Sequence, residues 1–113
     1  GYLPGNSSDF VAVLLAETYK VNTIINLSNV DYVYDRDPNK FNQAKKIKEI
    51  NWSDFLDLIG DDWKPGLNAP FDPIASSRCQ ENKKSVVVLN GQNLPNLSDY
   101  FSGKNFIGTT IKP

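Results

Sequence analysis

Hydrophobic residues in this chain fall in short blocks separated by polar stretches rich in proline and glycine, and the blocks alternate between helical and extended character. The opening residues 1–9 are turn-forming (Gly1, Pro4, Gly5, Asn6, Ser7, Ser8, Asp9). An apolar block then begins at Phe10 and continues to Lys20. Its alanine and leucine content predicts a helix, with Asn6, Ser7 or Ser8 as its cap. Phe10, Val11, Val13, Leu14 and Leu15 leave few polar positions, so little of this helix is expected to face water. Residues 23–27 (Thr-Ile-Ile-Asn-Leu) are short and β-branched, which suits a buried strand. A polar loop over 28–40 follows. Residues 47–50 form a short edge strand in this reading, and Asn51 or Ser53 starts a helix with the apolar face Trp52, Phe55, Leu56 and Ile59, ending at Gly60.

The second half is punctuated more sharply. After a loop over 61–71, Asp72-Pro73 places a capping carboxylate before a proline at the first helical position, which predicts a helix to about Asn82. Ser-Val-Val-Val-Leu at 85–89 is the clearest strand. Gly91 and Asn93 turn the chain, Pro95 opens a helix to Ser102, Gly103 caps it, and 106–111 form a closing strand. This alternation predicts an α/β layered fold in one domain over 1–113, with a largely parallel sheet of about three strands. Such a sheet leaves an apolar edge, and the all-round apolar first helix needs cover too. Another strand upstream of Gly1 is expected to supply it, so the chain reads as half of a fold, in keeping with the absence of methionine.

Composition narrows the function. The 113 residues carry a formal net charge of −1, with 22% charged positions and no basic stripe, which argues against a general affinity for nucleic-acid backbones. No apolar run approaches the length of a bilayer span, so no membrane partner is expected. The absence of histidine removes Ser-His-Asp and Cys-His catalysis and imidazole-based zinc sites from the chain's repertoire. Cys79 stands alone, so it cannot form an internal disulfide and suits a reducing, cytoplasmic setting. It sits in a predicted helix with no base partner and reads as an inert thiol.

Two segments carry candidate chemistry. Residues 4–9 (Pro-Gly-Asn-Ser-Ser-Asp) put a glycine turn and two hydroxyls at a helix N-terminus, where free N–H groups and the positive dipole end favour a phosphate. The plainer alternative is a capped helix after a turn, and the phosphate-loop pattern ending in Gly-Lys-Ser/Thr is absent. Asp9 is either a surface charge that complements the dipole or a carboxylate that holds a lysine. Residues 28–38 (Ser-Asn-Val-Asp-Tyr-Val-Tyr-Asp-Arg-Asp-Pro) follow a buried strand, where open α/β sheets bind ligands. Its hydrogen-bonding groups, two tyrosines and carboxylates suit a nucleotide; the alternative is a solvated loop of Asx-turns. The aspartates lack the glycine and terminal glutamate of a calcium loop, and no metal site is expected. Lys45, Lys46 and Lys48 read as a solvated basic face, and Trp52 and Trp63 as packing residues. Arg78 and Lys64 could reach a phosphate, but nothing marks them.

Taken in order, Gly5-Asn6-Ser7-Ser8-Asp9, Leu14-Leu15-Ala16, Ser28-Asn29-Val30-Asp31 through Tyr34 to Asp37-Pro38, Ala44-Lys45-Lys46-Ile47, Phe71-Asp72-Pro73-Ile74-Ala75 and Gly108-Thr109-Thr110-Ile111 resemble the carboxyl-terminal half of the amino acid kinase family. The similarity is greatest to its archaeal UMP-phosphorylating branch and covers essentially the whole chain. It implies a three-layer sandwich with a mainly parallel sheet, and transfer of the γ-phosphoryl group of ATP, accompanied by Mg²⁺, to UMP. By the same resemblance Tyr2, Leu3, Pro4, Gly5, Asn6, Ser7 and Ser8 contact UMP. Ser28, Asn29, Tyr34 and Asp37 contact ATP, and Asp9 orients a catalytic lysine. The resemblance also implies partners: an amino-terminal half of the same fold, without which the chain is inactive, and a homo-oligomer, commonly a hexamer. One departure stands out, because Tyr32 occupies a position the family usually fills with glycine. A kinase of the same family acting on a carboxylate or carbamate, and a non-catalytic nucleotide-binding subunit, remain as alternative readings.

Overall fold

The computed structural model describes residues 8–36, 42–62 and 71–113. In chain order they form α1 (Ser8–Thr18), β1 (Thr23–Ser28), β2 (Val33–Tyr34), β3 (Lys46–Ile47), β4 (Glu49–Asn51), α2 (Trp52–Asp62), α3 (Pro73–Glu81), β5 (Ser85–Asn90), α4 (Leu94–Phe101) and β6 (Thr109–Lys112). Helix starts follow local chemistry. The Asn51 Oδ1 accepts the Asp54 N–H at 2.8 Å, while its Nδ2 donates to Asp54 Oδ2 at 3.1 Å. Asp72 Oδ2 accepts the Ala75 N–H at 2.8 Å, and Asn93 Oδ1 accepts that of Asn96 at 3.1 Å. Each satisfies a donor that the first helical turn leaves unpaired. Gly103 ends α4 with φ +76°, a left-handed turn natural to glycine. The N–H groups of Gly103 and Lys104 then return to the carbonyls of Tyr100 and Asp99 at 3.1 and 2.9 Å.

The main sheet has four strands in the order β1-β5-β6-β4. β1 and β5 are parallel, from Thr23 opposite Ser85 to Ser28 opposite Asn90. β4 and β6 are also parallel, but β6 runs antiparallel to β5, with Thr109 opposite Val88. The mainly parallel α/β architecture is borne out, with one more strand than expected and one reversal in direction. That reversal brings the start of β6 to the edge where β1 and β5 end. A separate two-stranded hairpin pairs β2 with β3, Val33 opposite Ile47 and Tyr34 opposite Lys46.

The core lies between one face of the sheet and the helices α1, α2 and α3. Val13, Phe55, Ile59, Ala75 and Cys79 from the helices close on Val86, Val88 and Ile111 from the strands. Trp52 joins them with its ring edge against Phe55 at 5.9 Å between centroids, and its indole N–H donates to the Lys84 carbonyl at 2.6 Å. A buried indole needs such a partner, because an unpaired donor is costly away from water. Trp52 is thus the packing residue expected; Trp63 lies outside the described residues. Strand alternation sends Val87 and Leu89 to the opposite face, where both are also buried.

Five expectations need correction. The strand over 23–27 is not buried: β1 lies at an edge of the sheet, Ile24, Ile25 and Asn26 are half-buried and Leu27 is exposed, because no neighbour covers that side among the described residues. The first helix is not enclosed: Val13 and Ala16 are buried, but Leu15 is 53% exposed, since a helix laid on a sheet buries one stripe whatever its composition. The polar segment over 28–40 is not all loop, because β2 forms within it. The strand over 47–50 divides, Lys46–Ile47 joining the hairpin and Glu49–Asn51 the edge of the sheet. The last strand starts at Thr109 rather than Phe106, because the backbone of Ile107 is bound to a side chain instead of a strand. Asn96 Oδ1 accepts its N–H and Asn96 Nδ2 donates to its carbonyl, both at 2.7 Å.

Candidate functional site

The carboxyl ends of β1 and β5 lie side by side and carry a polar rim. Ser28 closes β1: its carbonyl accepts the Gly91 N–H at 2.9 Å, and its hydroxyl donates to the Val30 carbonyl at 3.0 Å. Across the register, Asn90 closes β5 and its Nδ2 donates to Asp31 Oδ1 at 3.0 Å. Asn90 Oδ1 in turn accepts the Gln92 N–H at 2.9 Å. The loop after each strand is therefore tied to the other strand's end. Asn29 is exposed beside them.

The hairpin is fastened over this edge from beneath. Thr109, fully buried, accepts the Val33 N–H on Oγ1 at 2.8 Å and donates to the Ile47 carbonyl at 2.5 Å. One hydroxyl thus holds both hairpin strands to the start of β6. At the loop end of the hairpin, Asp35 N–H donates to the Lys45 carbonyl at 2.9 Å, and Lys45 N–H donates to Asp35 Oδ1 at 2.8 Å. Val33 and Ile47 share the inward face and pack in or against the core. Tyr34 and Lys46 therefore share the outward face, and Tyr32, two residues before Tyr34, joins them by alternation. The Lys46 ammonium stands 5.2 Å from the centre of the Tyr32 ring.

Of the residues the family resemblance names for ATP, Ser28 and Asn29 stand at the end of β1, and Tyr34 lies on the hairpin strand β2. Asp37 lies outside the described residues, as do Tyr2, Leu3, Pro4, Gly5, Asn6 and Ser7, and as does Lys64. Ser8 opens α1 and Asp9 follows it in the helix backbone, consistent with the expected helix start. Asn90 as a rim residue and the Thr109 hydroxyl as a buried support were invisible in the sequence; the one available signal for Asn90 is a polar residue closing an apolar strand, as Ser28 closes β1. Lys45, Lys46 and Lys48 are all exposed, as expected of a solvated basic face.

Arg78 and Cys79 belong elsewhere, on the last turns of α3, near where β1 and β5 begin. The Arg78 guanidinium holds the Glu17 carboxylate through Nε to Oε2 at 2.8 Å and Nη2 to Oε1 at 2.9 Å, joining α3 to α1. This hydrogen bonding, with the charge of Arg78 behind it, lowers the Glu17 pKa below its ordinary value. Burial pushes the Cys79 thiol up to about 12, with the negative charge of Glu17 acting in the same sense. A thiol held so firmly protonated is inert, as its position in the sequence suggested.

An α/β lobe whose parallel strands end in a rim of hydroxyl, amide and carboxylate side chains is the general architecture of a site for a polar small molecule at strand ends. The chain belongs to the amino acid kinase family, whose model matches residues 1–90. It is 38% identical over 112 residues to a uridylate kinase of Methanobrevibacter smithii, covering 98% of this chain and 49% of that protein. It is 37% identical to the uridylate kinase of Methanothermobacter thermautotrophicus, covering 100% of this chain and 50% of that one. Among solved structures, uridylate kinase from Archaeoglobus fulgidus superposes with a TM-score of 0.78 at 30% identity, over 98% of this chain and 49% of the other. The chain thus spans about half the length of the curated relatives it matches.

Proposed function

We propose that this chain is the carboxyl-terminal, ATP-binding lobe of a UMP kinase, which transfers the γ-phosphoryl group of ATP to UMP to give ADP and UDP. The observation that carries the reading is the polar rim where β1 and β5 end side by side at Ser28 and Asn90, in a chain similar along its whole length to uridylate kinases. In this reading Ser28, Asn29, Tyr34 and Asp37 receive ATP, and Tyr2, Leu3, Pro4, Gly5, Asn6, Ser7 and Ser8 form one wall of the UMP site. Asp9, at the start of α1, orients a lysine supplied by the amino-terminal half.

Phosphoryl transfer asks a protein mainly for alignment and charge neutralisation. A rim of fixed hydrogen-bonding groups suits the alignment; the cationic groups around the phosphates come chiefly from the missing half. Among the described residues no group of three or more acidic, cysteine or histidine side chains could hold a metal ion. Magnesium would arrive on the phosphates of ATP, its usual manner of binding in kinases. Among the described residues no helix is long and apolar enough to cross a membrane, and a cytoplasmic homo-oligomer is part of the proposal.

The test is a coupled assay of ATP-dependent UMP phosphorylation by the 113-residue chain, alone and joined to an amino-terminal half. Turnover only with both halves, and its loss in Asp9→Asn, supports the reading. Turnover by the isolated chain refutes its dependence on a second half. Binding of ATP without transfer to UMP, carboxylate or carbamate acceptors would make the protein a binding subunit.

A further inference from the structure

The hairpin presents two unlike faces. Val33 and Ile47 face the core, and Tyr32, Tyr34 and Lys46 face outward at the strand ends. Lys46 lies directly opposite Tyr34 in the ladder, with its ammonium 5.2 Å from the Tyr32 ring centre. Among the described residues it is paired with no carboxylate, whereas Lys112 holds Glu49 and Arg78 holds Glu17. A cation resting on a ring keeps its charge available to an anion, because the ring offers a quadrupole and no neutralising charge.

The backbone that carries the ring is anchored on both sides. Asp31, on one side of Tyr32, is bound through its carboxylate to Asn90, and Val33, on the other, is bound through its N–H to Thr109. Tyr32 is half-buried between these two anchors. Its ring, carried on that anchored backbone, gives the long, flexible lysine a surface to rest on at the outer face of the hairpin.

We propose that Lys46 contacts the phosphate chain of the nucleotide bound at this rim, and that Tyr32 is its positioning residue. The ligand class is a nucleoside di- or triphosphate, since a lone ammonium suits a phosphate as a point charge. The proposal rests on the reading of this rim as an ATP site. It gives the hairpin a role in binding the polyphosphate as well as the base or ribose.

The experiment uses the full-length protein that contains this segment and measures ATP and adenosine binding by titration, with the KM values for ATP and UMP. Lys46→Gln is expected to weaken ATP binding on the order of tenfold or more, the worth of one charge-assisted contact. Adenosine binding, the KM for UMP and the thermal midpoint are expected to stay unchanged. Lys46→Arg should restore most of the affinity. Tyr32→Phe should behave as the parent, and Tyr32→Leu should lose part of the affinity for ATP, because only the ring face is used. Unchanged ATP affinity in Lys46→Gln overturns the proposal. So does an equal loss for ATP and adenosine with a lowered midpoint, which would make the contact a clasp within the hairpin. Lysine-dependent ATP binding without UMP phosphorylation would leave this inference standing and refute the UMP kinase reading; phosphorylation indifferent to Lys46 would do the reverse.

Discussion

The hydroxyl of Thr109 accepts the backbone N–H of Val33 across 76 residues of sequence, at 2.8 Å and out of contact with water. The same hydroxyl donates to the Ile47 carbonyl, so one side chain bonds both strands of the hairpin that carries Tyr34 and Lys46 to the start of β6. The position of the candidate site therefore depends on a residue that touches no ligand in the proposed arrangement.

Replacing Thr109 with valine keeps the shape and removes both bonds, leaving a buried donor and acceptor without partners. A loss of about 2 kcal/mol in unfolding free energy is expected, within the usual range for orphaned buried groups. Thr109→Ser should retain most of the stability. Urea denaturation checks the cost, and faster hydrogen exchange at the Val33 amide checks that the loss is local to the hairpin.

Gly108 owes its place to space. A Cβ there would come within 2.7 Å of both the Leu89 side chain and the Val88 carbonyl, and 3.2 Å from the Phe106 ring. The Val88 carbonyl cannot yield without moving β5. Gly108→Ala is expected to cost about 1–3 kcal/mol as overpacking, read as a lowered thermal midpoint. By contrast Gly103→Asn should be mild, because nothing lies within 4 Å of its missing Cβ and asparagine tolerates the left-handed turn.

The Glu17–Arg78 pair makes stability depend on acid. Folding lowers the Glu17 pKa, so the native state binds its proton less readily than the unfolded chain. The resulting stabilisation is fully present above the unfolded value near 4.5 and is lost as pH falls through the lower, folded value. Wild-type protein should therefore lose more stability than Glu17→Gln between neutral pH and pH 3. Chemical denaturation of both proteins at several pH values measures the difference, and parallel curves would refute it.

Cys79 predicts the opposite limb. Burial raises its pKa from an ordinary 9.0 to about 12, so the native state holds the thiol proton more tightly than the unfolded chain. The contribution is level below the unfolded value, and stability falls as pH rises through the interval between the two. Cys79→Ala should lose the part of the alkaline slope that belongs to the thiol, although it is less stable at every pH for want of volume. Folded wild-type protein should react with a thiol reagent at mildly alkaline pH only as fast as it unfolds.

The sequence by itself determined the elements with strong local causes. Asp72-Pro73, Asn93 before Leu94-Pro95, and Gly103 start or stop helices through contacts within a few residues, and Val86 to Leu89 read as a strand because a buried strand needs only apolar β-branched side chains. The family motif likewise drew attention to the segment after β1, because Ser28 and Asn29 follow an apolar strand directly in sequence. Only the tertiary structure decided the remainder. Two-residue strands such as Val33–Tyr34 have no periodicity to read, and they exist because Thr109 and Lys45 supply partners from far along the chain. The direction of β6 depends on its neighbour rather than on its own residues, since a strand's alternation is the same whichever way it runs. Asn96 and Thr109 are ordinary polar residues until the fold closes over them, and burial is what turns their hydrogen bonds into supports for the site.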